Sequence, residues 1–514
     1  MQRMTCRVFL PVPLFCLLCS PSIMGAEPAK PNILLILADD MGFSDVGCFG
    51  GEIPTPHLDQ LAARGMRFTQ MYNTSKCFPS RACLLTGAYA QQVNMARGPG
   101  AIQNAVTLGE VLRGAGYRTL MTGKHHGTQN PFDRGFDRYF GLRDGACNYF
   151  NPGMQRPGEP RPAQKRPNRA WCIDGELFRP YTPAARDFYT TDAFTRYALE
   201  YLEEYKEEEK PFFLYVAYNA PHDPLMAWPE DIARHRGKYI EGWQAARQAR
   251  FKRQVEMGLF PADLQLPDPE FGDWDSLGDK QKQQEDLRMA VYAAMVDRLD
   301  QNIGKLVDKL TELGELDNTL ILFASDNGGS AEVVRIGEGE IGSSTRWSSV
   351  KKDWANVSNT PFRKYKNFSH EGGICTPFIA CWPGMIKKQG SIVRQPLHFI
   401  DVMATFVEIA HAPYPREWKG ETVVPLEGTS FVPLLNGADM LQRPDPIFWQ
   451  WSRGRAIRDG QWKAVSHSDQ WQLYDMNEDR TELNDLAGTY PERTARMAAR
   501  WQTWLDGTKM KKDP

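Results

Sequence analysis

Residues 32–40 read NILLILADD. The aliphatic run from Ile33 to Ala38 shows no polar alternation, so it suits a strand buried on both faces, and it stops on two carboxylates, Asp39 and Asp40. Three further stretches have the same form: YRTLMTGKHH at 117–126, FFLYVAYNAPHD at 212–223 and NTLILFASDNGG at 318–329. Between them lie helical patterns, HLDQLAARG (57–65), TLGEVLRGAG (107–116), TDAFTRYALEYLEEYKEE (191–208) and RMAVYAAMVDRLDQNIGKLVDKLTELG (288–314). Strands alternating with helices predict an α/β fold built on a large mixed, mostly parallel sheet flanked by helices. In such sheets ligands bind beyond the carboxyl ends of the strands, where all four polar clusters fall.

The chain has 514 residues, more than one core usually serves, so two folded units are expected after a leader. Arg3 and Arg7, the run VFLPVPLFCLLC and the small-residue end SIMGA read as a secretory signal over 1–26, which predicts a periplasmic or secreted protein. That run is short and broken by proline, and no later one is longer, so no membrane span is expected. Leu18 is bulky where a lipoprotein signal at Cys19 would need a small residue. Residues 27–436 then form the α/β catalytic unit. After residue 437 the pattern becomes PIFWQWSRGRAIRDGQWKAVSHSDQWQLYDM, with a turn at Asp459–Gly460, followed by a helical stretch near 491–506. It predicts a small antiparallel sheet closed by a C-terminal helix over 437–514. Two segments look inserted, the Pro-rich basic NPGMQRPGEPRPAQKRPNRA (151–170) and the charged 230–258; each reads as a solvated excursion, of the kind that also shapes pockets near strand ends.

With 61 basic and 63 acidic side chains, net charge −2, nothing points to a nucleic-acid partner. Of ten cysteines, three lie in the leader, which leaves an odd number and therefore an unpaired thiol. Cys147 with Cys172, across the Pro-rich loop, is one available disulfide.

Asp39 and Asp40 end one predicted strand, and Asp326 and Asn327 end another. Hard oxygen ligands at one sheet edge suit calcium or magnesium rather than zinc. Lys124 and His126 leave a third strand and His222 a fourth, which brings imidazoles suited to proton transfer to the same mouth, and Lys366 in PFRKYKNFSHEGG adds a cation. His125, His235 and His411 read as incidental. In NTSKCFPSRACLLTG (73–87), Pro79, Leu84, Leu85 and Gly87 predict a short helix over 78–86. Cys77 then sits at its anion-attracting N-terminus, and Arg81 can share its face. Such a set can hold a small tetrahedral oxyanion and protonate a departing alcohol.

These residues resemble the sulfatase family of the alkaline-phosphatase superfamily. CFPSR matches its C-x-P-S-R signature, and LADDMG, TGKHH, APHDP, SDNGG and PFRKYKNFSHEGG match in order, so that the likeness covers nearly all of the mature chain. It implies an alkaline-phosphatase-like fold and hydrolysis of sulfate monoesters, on sulfated carbohydrates or aryl sulfates. It also implies conversion of Cys77 to Cα-formylglycine by a maturation enzyme. Carried over by position, Asp39, Asp40, the modified Cys77, Asp326 and Asn327 would bind one Ca²⁺. Arg81, Lys124 and Lys366 would neutralise sulfate oxygens, His126 would take the proton from the formylglycine hydrate, and His222 with Lys366 would assist the leaving alcohol. His370 and His125 stand where relatives often carry aromatic residues. A phosphonate or phosphate ester hydrolase of the same superfamily and an inactive glycan-binding relative are the alternatives.

Overall fold

The four apolar runs become four adjacent strands. In the computed structural model, which describes residues 30–508 together with Gln2 and Met4, the elements that carry the site are, in order, β1 (Asn32–Asp39), α1 (Pro56–Arg64), β2 (Met66–Tyr72), α2 (Cys77–Thr86), α3 (Leu108–Gly114) and β3 (Arg118–Gly123). There follow β4 (Arg138–Leu142), β5 (Trp171–Ile173), β6 (Glu176–Phe178), α4 (Thr190–Glu204), β7 (Phe212–Pro221), α5 (Pro229–Ala233), α6 (Gly242–Glu256), α7 (Asp279–Glu312) and β8 (Thr319–Ser325). The expected signal at 1–26 lies outside the described residues. From Pro31 onward the described residues form one compact unit.

The main sheet has eleven strands, with β8, β1, β7 and β3 side by side and mutually parallel at its centre. Their registers align the carboxyl ends: Ala38 pairs with Ser325, Asp39 with Pro221, and Gly123 with Ala217. Antiparallel pairings lie to either side, at Cys375–Cys381 against both β8 and β2, and at β4–β5–β6. The sheet is therefore mixed and mostly parallel, as the sequence predicts.

Burial on both faces explains the unbroken apolar runs. Along β1, Leu34, Ile36 and Ala38 enter one core while Ile33, Leu35 and Leu37 enter the core on the other side. Helix α7 packs on the first of these faces through Met289, Val296, Leu299 and Ile303. It begins at Asp279, ahead of the predicted 288, because its polar first turns carry no apolar stripe to read.

Two expectations are corrected. Cys147 and Cys172 are free thiols: Cys147 belongs to the core on one face of the sheet and Cys172 to the core on the other, so no bridge can span them. Segment 230–258 is not a solvated excursion. In α6, Trp243, Arg247, Arg250 and Gln254 are buried, and Arg250 bonds Asp45 at 2.6 Å and Glu52 at 2.8 Å. Asp45 also accepts from Tyr292 Oη of α7 at 2.6 Å, so both helices brace the loop that follows β1.

The C-terminal strands Ile447–Trp451, Gly454–Asp459, Trp462–Ser466 and Gln472–Asp475 form an antiparallel meander, and the helix Pro491–Gly507 packs on it. Beneath the meander Lys463 is buried between two carboxylates, 2.8 Å from Glu371 Oε1 and 2.8 Å from Glu482 Oε1, while Arg480 holds Glu371 Oε2 at 2.9 Å. Burial would raise the Glu371 carboxyl, but Lys463, Arg480 and Arg458 outweigh it and bring it down to about 2. Its stabilising contribution is complete above the ordinary value of 4.5 and is lost as pH falls from there towards 2. Lys463→Met leaves two buried carboxylates facing each other and should cost about 3–5 kcal/mol at neutral pH. Urea denaturation checks this, and an unchanged midpoint refutes it.

Candidate active site

The site forms where the chain leaves the parallel strands. Asp39 is the last residue of β1, and Asp40 follows in the left-handed region at φ 65°, a conformation that costs a non-glycine residue energy. Asp326 and Asn327 follow β8, and Asn327 Nδ2 donates to Asp40 Oδ1 at 2.6 Å. Three buried carboxylates meet three buried cations here. Arg81 Nε donates to Asp326 Oδ2 at 2.8 Å, Lys366 Nζ lies 2.8 Å from Asp40 Oδ1, and Lys124 donates to Asp39. Among the described residues Asp39 Oδ1 and Asn327 Oδ1 are buried acceptors without a partner, and donor atoms of Asp39, Cys77 and Asp326 lie within 4.8 Å of one another. Unsatisfied hard oxygens at this spacing fit a divalent cation of the calcium or magnesium type.

Helix α2 carries Cys77 as its first residue and Arg81 one turn on, and Gly87 stops it in the left-handed conformation at φ 68°. The Ser of CFPSR acts structurally. Ser80 Oγ accepts from the backbone N–H of Thr74 at 2.9 Å and bonds Thr74 Oγ1 at 2.8 Å, which ties the turn before the helix to its first turn. Arg81 also reaches Lys124 O at 2.7 Å, so α2 and the end of β3 hold each other. Gly123 just before it, at φ 103°, is the only residue type that fits, because a Cβ there would lie 1.9 Å from Ala217 O.

Two imidazoles face this centre with opposite electrostatics. Burial lowers a histidine, yet beside Asp40 and Asp39 the carboxylates win and push His222 up to about 9, so it is protonated at neutral pH. Its Nε2 lies 3.5 Å from Asp40 Oδ2 and its Nδ1 3.0 Å from Asp223 Oδ1. His126 is held well below its ordinary value by burial and by the charges of Lys124 and Arg81, and is neutral. Environments that drive two titratable groups apart assign one as acid and the other as base. Burial raises Asp326 to about 6, helped by Asp39 and opposed by Arg81. Asp40 lies below its ordinary value because His222 and Lys366 outweigh burial.

Cys77, His126, His222 and Lys366 line one cavity of about 460 Å³, while Arg81, Lys124, Asp39 and Asp326 are buried behind it. All ten residues singled out in the sequence are thereby brought together, while His125, His235 and His411, read as incidental, stay outside the cavity lining. Sequence reasoning missed Glu332, which pairs with Lys76 at 2.8 Å and Lys366 at 3.5 Å, and the tryptophans of the C-terminal sheet. Trp449 Nε1 donates to Asn73 O at 2.7 Å, and the Trp451 ring packs edge-on to Phe78 at 5.0 Å, so the meander buttresses the loop and helix that present Cys77. Only an aromatic-rich strand signalled this, with no spacing to tie it to residue 77.

A tetrahedral oxyanion held among fixed cations, with an acid and a base on hand, is the business of an ester hydrolase, and this sheet has the alkaline-phosphatase-like fold. Known proteins narrow the class. The chain belongs to the sulfatase family, whose description "Sulfatase" matches residues 31–412, and residues 362–503 match "N-sulphoglucosamine sulphohydrolase, C-terminal". It is a sulfuric ester hydrolase. An uncharacterized sulfatase of Schizosaccharomyces pombe is 32% identical, with 93% of each chain covered. An arylsulfatase of Klebsiella aerogenes is 33% identical over 79% of this chain and 92% of its own. Among solved structures, Ps i-CgsB in complex with k-i-k-neocarrahexaose superposes with a TM-score of 0.67 at 28% identity, covering 93% of both chains.

Proposed function

We propose that the protein hydrolyses sulfate monoesters on carbohydrates through Cys77 converted to Cα-formylglycine, with Asp39, Asp40, residue 77, Asp326 and Asn327 holding one Ca²⁺. The observation that carries this reading is the placement of Cys77 in one cavity with His222, His126 and Lys366, directly in front of the buried carboxylates Asp39 and Asp326. A sugar substrate is favoured by two of the likenesses, a family description that names a sulphated glucosamine and a structure bound to a hexaose.

When formed, the hydrated aldehyde supplies one hydroxyl to attack sulfur and a second that lets sulfate leave. The cation, when bound, offsets charge on the sulfate. Without it Asp39, Asp40, Asp326 and Asp223 balance Arg81, Lys124, Lys366 and a charged His222, so one divalent ion would leave a positive surplus that an anionic ester offsets. Of the cations proposed to meet sulfate oxygens, Lys366 lines the cavity, held by Asp40, while Arg81 and Lys124 are fixed directly behind it by Asp326 and Asp39. His126, neutral, accepts a proton from the hydroxyl at residue 77. His222, charged, donates one to the departing alcohol, with Asp223 fixing its ring through Nδ1.

His222→Ala should slow esters of poor leaving groups by about 10²–10⁴-fold and activated aryl sulfates far less, because a good leaving group needs little protonation. Steady-state kinetics on sugar sulfates and on 4-nitrophenyl sulfate check this, and equal losses would make His222 a substrate-positioning group. Parallel assays of aryl phosphate and phosphonate esters test the ester class itself.

Action in the periplasm or outside the cell rests on the leader at 1–26 and is tested by sequencing the N-terminus of exported protein. Among the described residues no helix is long and apolar enough to cross a membrane.

A further inference from the structure

We propose that the strap between Ala163 and Ala170 forms a second oxyanion subsite beside the reaction centre, so that the preferred substrate carries another sulfate or carboxylate group on the same or an adjoining sugar. This rests on the sulfated-sugar reading above and deepens it.

The cavity that holds Cys77 is also lined by Lys165, Arg166 and Arg169. The buried members of its lining serve the reacting group; these three are exposed or half-buried and stand at the rim. Its acidic members are already engaged. Glu332 pairs with Lys76 and Lys366, Asp223 with His222 and Ser349, and Asp144 accepts the backbone N–H of Ala170 at 2.8 Å. Among the described residues none of the three strap cations has a hydrogen bond or ion pair; Arg169 senses Asp144 only at longer range. Arg169 Nε is buried and unpartnered, and so is the indole N–H of Trp347, a residue 1% exposed that lines the same cavity.

The strap is anchored at both ends. The Ala163 N–H donates to Ser344 O at 2.9 Å and its carbonyl accepts from Asn148 Nδ2 at 3.1 Å, while the Ala170 carbonyl accepts from Arg143 N at 3.0 Å. Both alanines are buried, and Pro167 limits the backbone between them while Pro162 limits it just before the first. Three cations are thus presented on a short, tethered span, against a lining in which Asp144 alone among the acidic residues has no ion-pair partner among the described residues. In a chain of net charge −2 such a local excess selects anionic ligands at this mouth. A volume of about 460 Å³ is in the range of small-molecule sites and leaves room beyond one sulfate group.

The test compares the wild type with the triple variant Lys165→Ala/Arg166→Ala/Arg169→Ala. Both are assayed on 4-methylumbelliferyl sulfate, on a singly sulfated disaccharide, and on the same disaccharide bearing a second sulfate or a uronate carboxylate. The wild type should favour the doubly charged sugars, and the variant should lose that preference by about 10–100-fold in kcat/KM, carried by KM. The monosulfated arms should change less than about twofold. The sulfate and carboxylate arms show which second group the strap takes. Affinities measured by calorimetry in the Cys77→Ala background read the subsite without turnover, so a failure of the sulfatase chemistry is told apart from a failure of the strap. Equal losses on all substrates, or a wild type that binds singly and doubly charged sugars alike, overturn the proposal.

Discussion

Cys77→Ala should abolish sulfate ester hydrolysis and leave the fold intact. The side chain is 2% exposed but occupies the first position of a helix whose entrance is held by Ser80 and Thr74 and whose far end is capped by Gly87, and none of those contacts uses the thiol. Thermal denaturation should therefore shift little while turnover falls to background. Cys77→Ser separates mechanisms. A serine hydroxyl can still attack sulfur, but it has no second hydroxyl through which to release the product, so in a host that cannot oxidise serine the variant should take up one sulfate group per chain and stop. Intact-mass spectrometry reads that adduct directly. Sustained turnover by an unmodified serine would refute the aldehyde chemistry and favour an ordinary alkoxide hydrolase. In the wild type made with a maturation enzyme, peptide mass spectrometry should show sulfur lost at residue 77 alone, since no other cysteine of the chain stands in a C-x-P-S-R motif.

Metal removal should have an effect of the same order. Exhaustive chelation should eliminate turnover and Ca²⁺ should restore it, because the unpaired Asp39 Oδ1 and Asn327 Oδ1 are buried oxygens that the protein leaves without a donor. Asp326→Asn is the sharper variant. It keeps the volume and an oxygen for Arg81 Nε, now 2.8 Å from the carboxylate, but removes one charge from the centre. Metal content by mass spectrometry should fall with activity. Full activity in excess chelator, with no metal bound, sinks the assignment.

Much of this architecture was legible along the chain because one constraint acts on every position of a doubly covered parallel strand. Ile33 to Ala38 must be apolar on both faces, so the run is unbroken, and its abrupt end at Asp39 marks the carboxyl edge as well as the strand. The short helix behind Cys77 could be placed within a residue from Pro79 and Gly87, since both act through local backbone geometry. The limits appear where a residue's fate depends on a partner far along the chain. Arg250 looks like one charge among many until Asp45 and Glu52 meet it in the core. Cys147 and Cys172 look pairable until the sheet stands between them.

By itself the sequence determined the α/β class, the four strand ends that bear polar groups and the identity of the residues that gather there, since hydrophobic periodicity and motif spacing are properties of short segments. Only the tertiary structure decided the strand order β8–β1–β7–β3 that sets those ends side by side, the opposite protonation of His222 and His126, and the arrival of Glu332, Trp449 and the cationic strap at the same mouth. Those depend on burial and on charges brought within a few ångströms by long-range packing, and electrostatic energy at that distance in a dry interior is fixed by neighbours in space, whatever their separation along the chain.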